Sequence, residues 1–478
     1  MSDTNRRRHV RPWYFLLIVL MVLALVTSAV VDGGAASAQR ATRPTNIIIL
    51  FADGVAGSQL EVGRYTSQHL RNQPFATTDV VLEQGSLALL TSHPIDAMVT
   101  DSAAAGSAMS TGVKTTIGAV GVAPDGQPVT TAMEAARAQG KRIGLVTTAT
   151  VWDASPAAFS VHTRQRTQGQ AIVDQYLALE PDVLLGGGKS YFLPQEMGGM
   201  RQDGQDVIEA FRTKGYQVAT DPGELRAATG PRLLGLFADE DMDSELDRDP
   251  DEQPSMAEMS ATAIRILSQD SPNGFVLLLE NENTDSTGHR NDIAALIRDL
   301  WVFDEAVQHA LEFQRRAPDT LLIVTGDHEA GGLSVTYAQQ DRSSLSSSNR
   351  FYAGPAHFEM VSRITMSLNK AAQVLGPQPS PEALEALLAA HFPGFRLDDD
   401  LREAILNQQM LDLAFTYPTA NALGRMVSRQ TGIYWGTAGH TAQPVVVGAL
   451  GPGAERFRGY MDNSEFGMIL HGLIAARD

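Results

Sequence analysis

Three apolar runs in this sequence end on side chains that bind metals. Asp53-Gly54 follows Asn46 to Phe51 (N-I-I-I-L-F), Asp327-His328 follows Leu321 to Gly326, and Glu280, Asp285 and His289 follow Phe275 to Leu279. Each group has a plain reading when taken alone: Asp-Gly after a strand is usually a turn, and acids at a helix start serve the positive end of the helix dipole. Neither reading explains why ligand-type residues recur after three separate apolar runs. Carboxylate and imidazole donors together suit zinc, and an all-oxygen subset suits magnesium. The chain has no cysteine, which excludes disulfides and thiolate sites, so any metal is held by nitrogen and oxygen.

A nucleophile has its own segment. Thr100-Asp101-Ser102 opens a run of small residues, Ala103 to Ala108, that closes at Thr111-Gly112. A serine at a helix start either caps the helix or, beside a bound metal, presents an alkoxide near neutral pH. Further on, Asp153 to Arg166 carries Ser155, His162 and Arg166, and an arginine forks onto two phosphate oxygens. The formal net charge of −18 argues against a nucleic acid partner, which needs a cationic footprint. A phosphate-bearing substrate then requires a locally positive site, which metals and an arginine provide.

The elements that must position these residues are legible from hydrophobic patterning. Continuous apolar runs of the kind a buried parallel strand shows occur at Asn46 to Phe51, Ile143 to Thr148, Val183 to Leu185, Phe275 to Leu279, Leu321 to Thr325 and Val445 to Leu450. Helical segments fall between several of them: Thr130 to Gln139, Gln168 to Ala178, and Ile293 to Phe313, where apolar residues return at three- and four-residue spacing. The alternation predicts an α/β fold with a mostly parallel central sheet flanked by helices on both faces, and sites beyond the carboxyl ends of its strands. The acidic stretch Ala238 to Gln253 reads as a solvated loop, with a calcium site as the alternative.

At 478 residues the chain is long enough for one large core with an insertion, or for two domains, and its 43% apolar and 19% charged composition is that of a folded protein. Residues 1–38 read as a leader: Arg6, Arg7, Arg8 and Arg11 precede the apolar run Trp13 to Val31, and Ala36-Ser37-Ala38 offers a cleavage site before Gln39. Retention as a membrane anchor is the alternative. Either way the bulk of the chain faces outside the cytoplasm, secreted or periplasmic in the first case. Residues 39–478 are expected to form a single domain in which 336–436, polar and lacking a long apolar strand, is a cap insertion.

These segments resemble the alkaline phosphatases of bacteria and animals. The likeness is carried by Asn46 to Gly54, by D-S-A-A-A-G-S-A-M-S-T-G-V-K-T from Asp101 to Thr115, and by Gly140 to Arg166. It continues in G-G-G-K-S-Y-F from Gly186, T-G-D-H-E-A-G-G from Thr325, and a closing G-H-T and G-P-G-A-E. It runs from about Asn46 to Leu470 and is weakest across 336–436. The resemblance implies hydrolysis of phosphate monoesters through a covalent phosphoserine on Ser102, with two Zn2+ and one Mg2+ per subunit of a homodimer. It assigns one zinc to Asp285, His289 and His440, and the other to Asp53, Asp327 and His328. Magnesium falls to Asp53, Ser155 and Glu280, with Asp153 holding one of its waters, and Arg166 clamps the phosphate. A phosphodiesterase or sulfate-ester hydrolase on the same frame is the nearest rival, and a non-catalytic metal-binding protein a more distant one. The chain departs from the family pattern at Asn281-Glu282, where two glycines are usual, and at Ser286, where lysine sometimes stands. Asp153 in place of histidine favours magnesium in the third position.

Overall fold

A computed structural model of the chain describes residues 43–341, 343–344 and 346–475. The leader read in residues 1–38 lies outside them. Among the described residues a ten-stranded sheet forms the centre of the molecule. In chain order its strands are β1 (Asn46–Ala52), β2 (Ser86–Thr91), β3 (Arg142–Thr150), β4 (Val183–Gly187), β5 (Gln217–Ala219), β6 (Leu233–Leu236), β7 (Phe275–Asn281), β8 (Thr320–Thr325), β9 (Val445–Leu450) and β10 (Gly459–Asp462). Across the sheet they lie in the order β10-β2-β9-β8-β1-β7-β3-β4-β6-β5. Neighbours from β8 through β5 are parallel, while β9 runs against both β8 and β2.

The central strands are covered on both faces, as their unbroken apolar sequences require. Along β1, Ile48 and Leu50 enter one hydrophobic core, while Ile47, Ile49 and Phe51 enter the other. This is the two-residue alternation of a pleated strand applied to a sheet with no wet side. Each such side chain contributes roughly 1.5–3 kcal/mol by leaving water. Helix α1 (Ser102–Thr111) packs Ala103 and Met109 into the second core, and α3 (Ile293–Arg316), which follows α2 (Asn283–Arg290), packs Leu296, Leu300 and Phe303 into the first.

The six strands expected from sequence are all present, but β2, β5, β6 and β10 are additional. Their signals are weak for physical reasons. β5 and β6 are three and four residues long, and β2 and β10 lie toward one edge, where Leu87, Leu89 and Tyr460 stay exposed. Segment 336–436 forms short ribbons and the helices Pro355–Ser362, Leu368–Leu375, Pro381–His391, Asp399–Leu406 and Pro418–Thr431. Their Phe358, Leu368, Leu384 and Leu423 belong to the same core as β1 and α3. The helix Asp399–Leu406 goes no further because Gln408 takes a left-handed backbone (φ 51°) that a helix cannot continue through. The acidic stretch 238–253 is a loop hung on buried Asp299, whose carboxylate accepts from Ser244 Oγ and Glu245 N, each at 2.8 Å.

Candidate metal centre and nucleophile

The site begins with register. β7 and β8 flank β1, and Phe51 pairs with Glu280 on one side and Thr325 on the other. Asp53, Glu280 and Asp327 therefore leave the sheet at its carboxyl edge, side by side. The turn at Asp53 admits only glycine next: Gly54 has φ +70°, and a Cβ there would lie 2.7 Å from Asp285 Oδ1 and 2.9 Å from Ala330 Cβ. Gly54→Ala is thus expected to displace Asp285, lowering both activity and melting temperature. Unchanged metal binding by the variant would contradict this.

On the far side of β7, Thr148 Oγ1 receives the amides of Glu282 (2.9 Å) and Asn283 (3.2 Å) and organises the turn into α2. Asn281, one of the two departures noted in the sequence, is fully buried and structural: its amide nitrogen donates to Asp299 O at 2.8 Å. Helix α2 then presents Asp285 and His289 on one face, four residues apart, with His289 Nε2 2.9 Å from Asp285 Oδ2. His440, from the ribbon that pairs His440–Thr441 with Glu329–Ala330, brings its Nε2 to 3.5 Å from Asp285 Oδ1 and 3.2 Å from His289 Nε2. Both rings are held from behind, His289 Nδ1 against Ala438 O (2.6 Å) and His440 Nδ1 against Thr100 O (2.8 Å), which makes each Nδ1 the donor and turns each Nε2 toward Asp285.

The second cluster is fully buried. His328 Nε2 lies 3.2 Å from Asp327 Oδ2 and 3.5 Å from Asp53 Oδ1, and its Nδ1 lies 3.9 Å from Asp285 Oδ1. Donor atoms of Asp285, His289 and His440 form one group within 4.8 Å of one another, and those of Asp53, Asp285 and His328 form a second. Asp285 thus faces both groups, whereas the sequence reading gave it to one zinc alone and had Asp53 shared between the second zinc and the magnesium. Near them Glu280 and Ser155 are wholly buried, with Thr147 Oγ1 donating to Glu280 Oε2 at 2.6 Å.

These donors lack partners of their own. Asp53 Oδ1, Asp285 Oδ1, Asp327 Oδ2, His328 Nδ1, Glu280 Oε1 and Ser155 Oγ are all buried without a hydrogen bond. Such atoms are costly unless something charged satisfies them, and a convergent set of nitrogen and oxygen lone pairs fits divalent cations. The electrostatics agree. Burial and the neighbouring carboxylates of Asp327, Asp285 and Glu280 push Asp53 well above the usual range. Burial likewise raises Glu280 to about 8 and Asp327 to about 6. Burial acts upward on Asp285 too, but the facing histidines, His289 foremost, hold it below the ordinary carboxylate value. Burial, reinforced by His440, keeps His328 neutral and so a competent ligand.

Ser102 is the first residue of α1, and its Oγ lies 3.0 Å from His328 Nε2. It is not the cap. That role belongs to Asp101, whose carboxylate accepts from Ala104 N (3.0 Å) and Gly118 N (3.1 Å). Asp101 also does what the sequence reading missed: with Asp153 it braces Arg166, at 3.4 and 2.9 Å. An acid immediately before a helix-opening serine was the available signal for the cap, but its partner lies in a loop 65 residues away. His162 stands apart from the centre, its Nε2 3.0 Å from Glu134.

A buried double cluster of carboxylate and imidazole donors, set with a serine and an arginine at the carboxyl edge of a doubly covered sheet, defines a metal-dependent hydrolase of the α/β class. Residues 44–475 match the family model for alkaline phosphatase. The chain is 30% identical to alkaline phosphatase 3 of Bacillus subtilis over 435 residues, 88% of this chain and 87% of the other. The crystal structure of Thermus thermophilus alkaline phosphatase superposes with a TM-score of 0.81 at 30% identity, covering 91% of this chain and 92% of that one. That of the cold-active alkaline phosphatase from Shewanella sp. gives 0.74 at 28% identity, covering 90% and 100%. The chain belongs to the alkaline phosphatase family and is a metal-dependent hydrolase of phosphate monoesters.

Proposed function

We propose that Ser102 is the nucleophile of this reaction and Arg166 the phosphate clamp. One Zn2+ is assigned to Asp285, His289 and His440 and a second to Asp53, Asp327 and His328. One Mg2+ is assigned to Asp53, Ser155 and Glu280, with Asp153 holding one of its waters. The observation that carries the reading is the 3.0 Å approach of Ser102 Oγ to a histidine that itself lies among unpartnered carboxylate oxygens. When bound, the ions supply Lewis-acid stabilisation of charge on the attacking, leaving and hydrolytic oxygens. The remaining work belongs to the chain. Arg166, held by Asp101 and Asp153, offers its guanidinium to two non-bridging phosphate oxygens. Ser102 Oγ forms a bond to phosphorus as the bond to the alcohol oxygen breaks, the hydroxyl proton of Ser102 ending on the departing alcohol. The N-terminus of α1 favours the negative charge that gathers there. Water then displaces the serine, releasing inorganic phosphate and restoring Oγ–H.

The test is turnover of p-nitrophenyl phosphate before and after EDTA treatment, with zinc and magnesium restored separately and together. Activity is expected to vanish and to return fully only with both metals. Turnover untouched by chelation sinks the assignment, and higher rates on bis-p-nitrophenyl phosphate or the sulfate ester favour the rival hydrolases.

A homodimer is part of the same proposal. Ile95, Met98, Ile117 and Tyr460 are exposed by 58, 76, 51 and 67%, apolar side chains carried by β10 and by the segments before and after α1. Met98→Asp is expected to convert a dimer to a monomer in light scattering; a wild-type monomer refutes the idea. Among the described residues no helix is long and apolar enough to cross a membrane. Export as a secreted or periplasmic protein rests on the leader in 1–38, and N-terminal sequencing of the exported chain should read from Gln39. An intact Met1 that needs detergent for release identifies the membrane-anchored alternative.

A further inference from the structure

The cavity that contains Ser102 and Arg166, about 440 Å3 in volume, is bounded beyond the phosphate position by Glu240, Asp241 and Glu282. A neighbouring hollow of about 260 Å3 shares Glu240, Asp241, Ser286 and Arg290 with it, so the acidic wall extends away from the reacting centre. Glu240 and Asp241 are exposed to solvent. Glu282 is different. Its Oε1 accepts from Ser286 Oγ at 2.9 Å, while its Oε2 is buried and has no hydrogen-bond partner. A buried carboxylate oxygen without a partner is unfavourable unless a ligand supplies a donor.

The cations nearby do not supply it. Arg166 is committed to Asp101 and Asp153. Arg290 stacks over Tyr417 at 4.9 Å and gives Nε to Asn369 (2.8 Å) and an Nη to Ser286 O (3.1 Å). A further metal would need several free oxygens converging on it, whereas Glu282 offers one and Asp241 Oδ1 already accepts from the amide of Thr150 at 2.9 Å. An ammonium group needs less: one short hydrogen bond and a negative field around it.

We propose that this wall selects phosphate monoesters whose alcohol carries a primary ammonium group, with the ammonium donating to Glu282 Oε2 under the charge of Glu240 and Asp241. The proposal rests on the reading that Ser102 and Arg166 mark the phosphate position. It inverts the simplest expectation for an acid near a phosphate site, which is repulsion of every substrate alike. Here the repulsion falls on esters with a second anionic group, and attraction on those with a cation.

The experiment compares kcat/KM of the metal-loaded enzyme on 2-aminoethyl, 3-aminopropyl and 5-aminopentyl phosphate with their neutral isosteres propyl, butyl and hexyl phosphate. At least one ammonium ester is expected to exceed its isostere by roughly ten-fold at low salt. That ratio should shrink as ionic strength rises and approach one in Glu282→Gln and in Glu240→Gln. Equal rates within every pair overturn the inference and leave the phosphomonoesterase reading standing. Failure of the enzyme on all six esters removes that reading as well. Loss of a bound metal ion from Glu282→Gln, measured by elemental mass spectrometry, assigns Glu282 to a metal and also overturns the inference.

Discussion

Ser102→Ala is expected to lower kcat/KM for a phosphate monoester by at least about 10³-fold while leaving fold and metal content nearly unchanged. The two halves of that expectation have separate physical grounds. Catalytically, the substitution removes a hydroxyl oxygen poised both at a helix N-terminus and beside a buried histidine. What survives is positioning of the phosphate by Arg166 and direct attack by water, which lacks the advantage of a held nucleophile. Structurally, little is lost, because Asp101 rather than Ser102 caps α1 and alanine is a better helix former than serine. His328 Nε2 loses its hydroxyl partner but still faces Asp327 and Asp53 at 3.2 and 3.5 Å. The melting temperature should therefore shift by no more than about 1 kcal/mol of stability allows. Acid quenching with radiolabelled phosphate separates the outcomes: wild type traps label on Ser102 and the variant traps none. A variant that turns over at the wild-type rate shows that water attacks directly and that Ser102 is only a helix residue.

Much of this site could be read along the chain because each ligand group sits just past a strongly apolar strand. A buried strand such as β1 announces itself by five consecutive side chains that cannot be solvated, and the first polar residue after it must lie at the sheet edge. The same logic placed Glu280 and Asp327. His440 was found only through family likeness, since it opens a two-residue strand with no apolar run before it. Asp101, Thr148 and the backbone carbonyls of Ala438 and Thr100 escaped notice because their partners are remote in sequence and common in type. The strands β2 and β10 escaped for a related reason: an edge that leaves Leu89 and Tyr460 exposed has no pattern that distinguishes it from a loop. Sequence thus specified which residues meet at the sheet edge better than it specified which of them would stand between the two clusters.

That last distinction makes Asp285 the most consequential ligand to change. Asp285→Asn keeps the volume of the side chain and removes its charge, at a position that faces His289, His440 and His328 at 2.9, 3.5 and 3.9 Å. A residue belonging to one metal should cost one ion when neutralised; a residue facing both clusters should weaken two. We expect Asp285→Asn to retain at most one of the two ions assigned to the histidine clusters, and to lower kcat/KM by about 10³-fold or more. His440→Asn, confined to one cluster, is expected to lose a single ion. Stability provides an independent reading. Bound metal stabilises the folded state by RT ln(1 + [L]/Kd), about 4 kcal/mol at a thousand-fold excess over Kd, so wild type should gain several degrees in melting temperature when metals are added. Asp285→Asn should lose most of that gain. Without metal the charge of Asp285 still stabilises the fold, because against the upward push of burial the facing histidines, His289 foremost, hold it below the ordinary carboxylate range. Removing that charge forfeits the interaction at any pH above the ordinary carboxylate value, so the metal-free variant is expected to melt below metal-free wild type. A variant that binds both ions and keeps the full metal-dependent rise in melting temperature would place Asp285 outside the coordination of either ion.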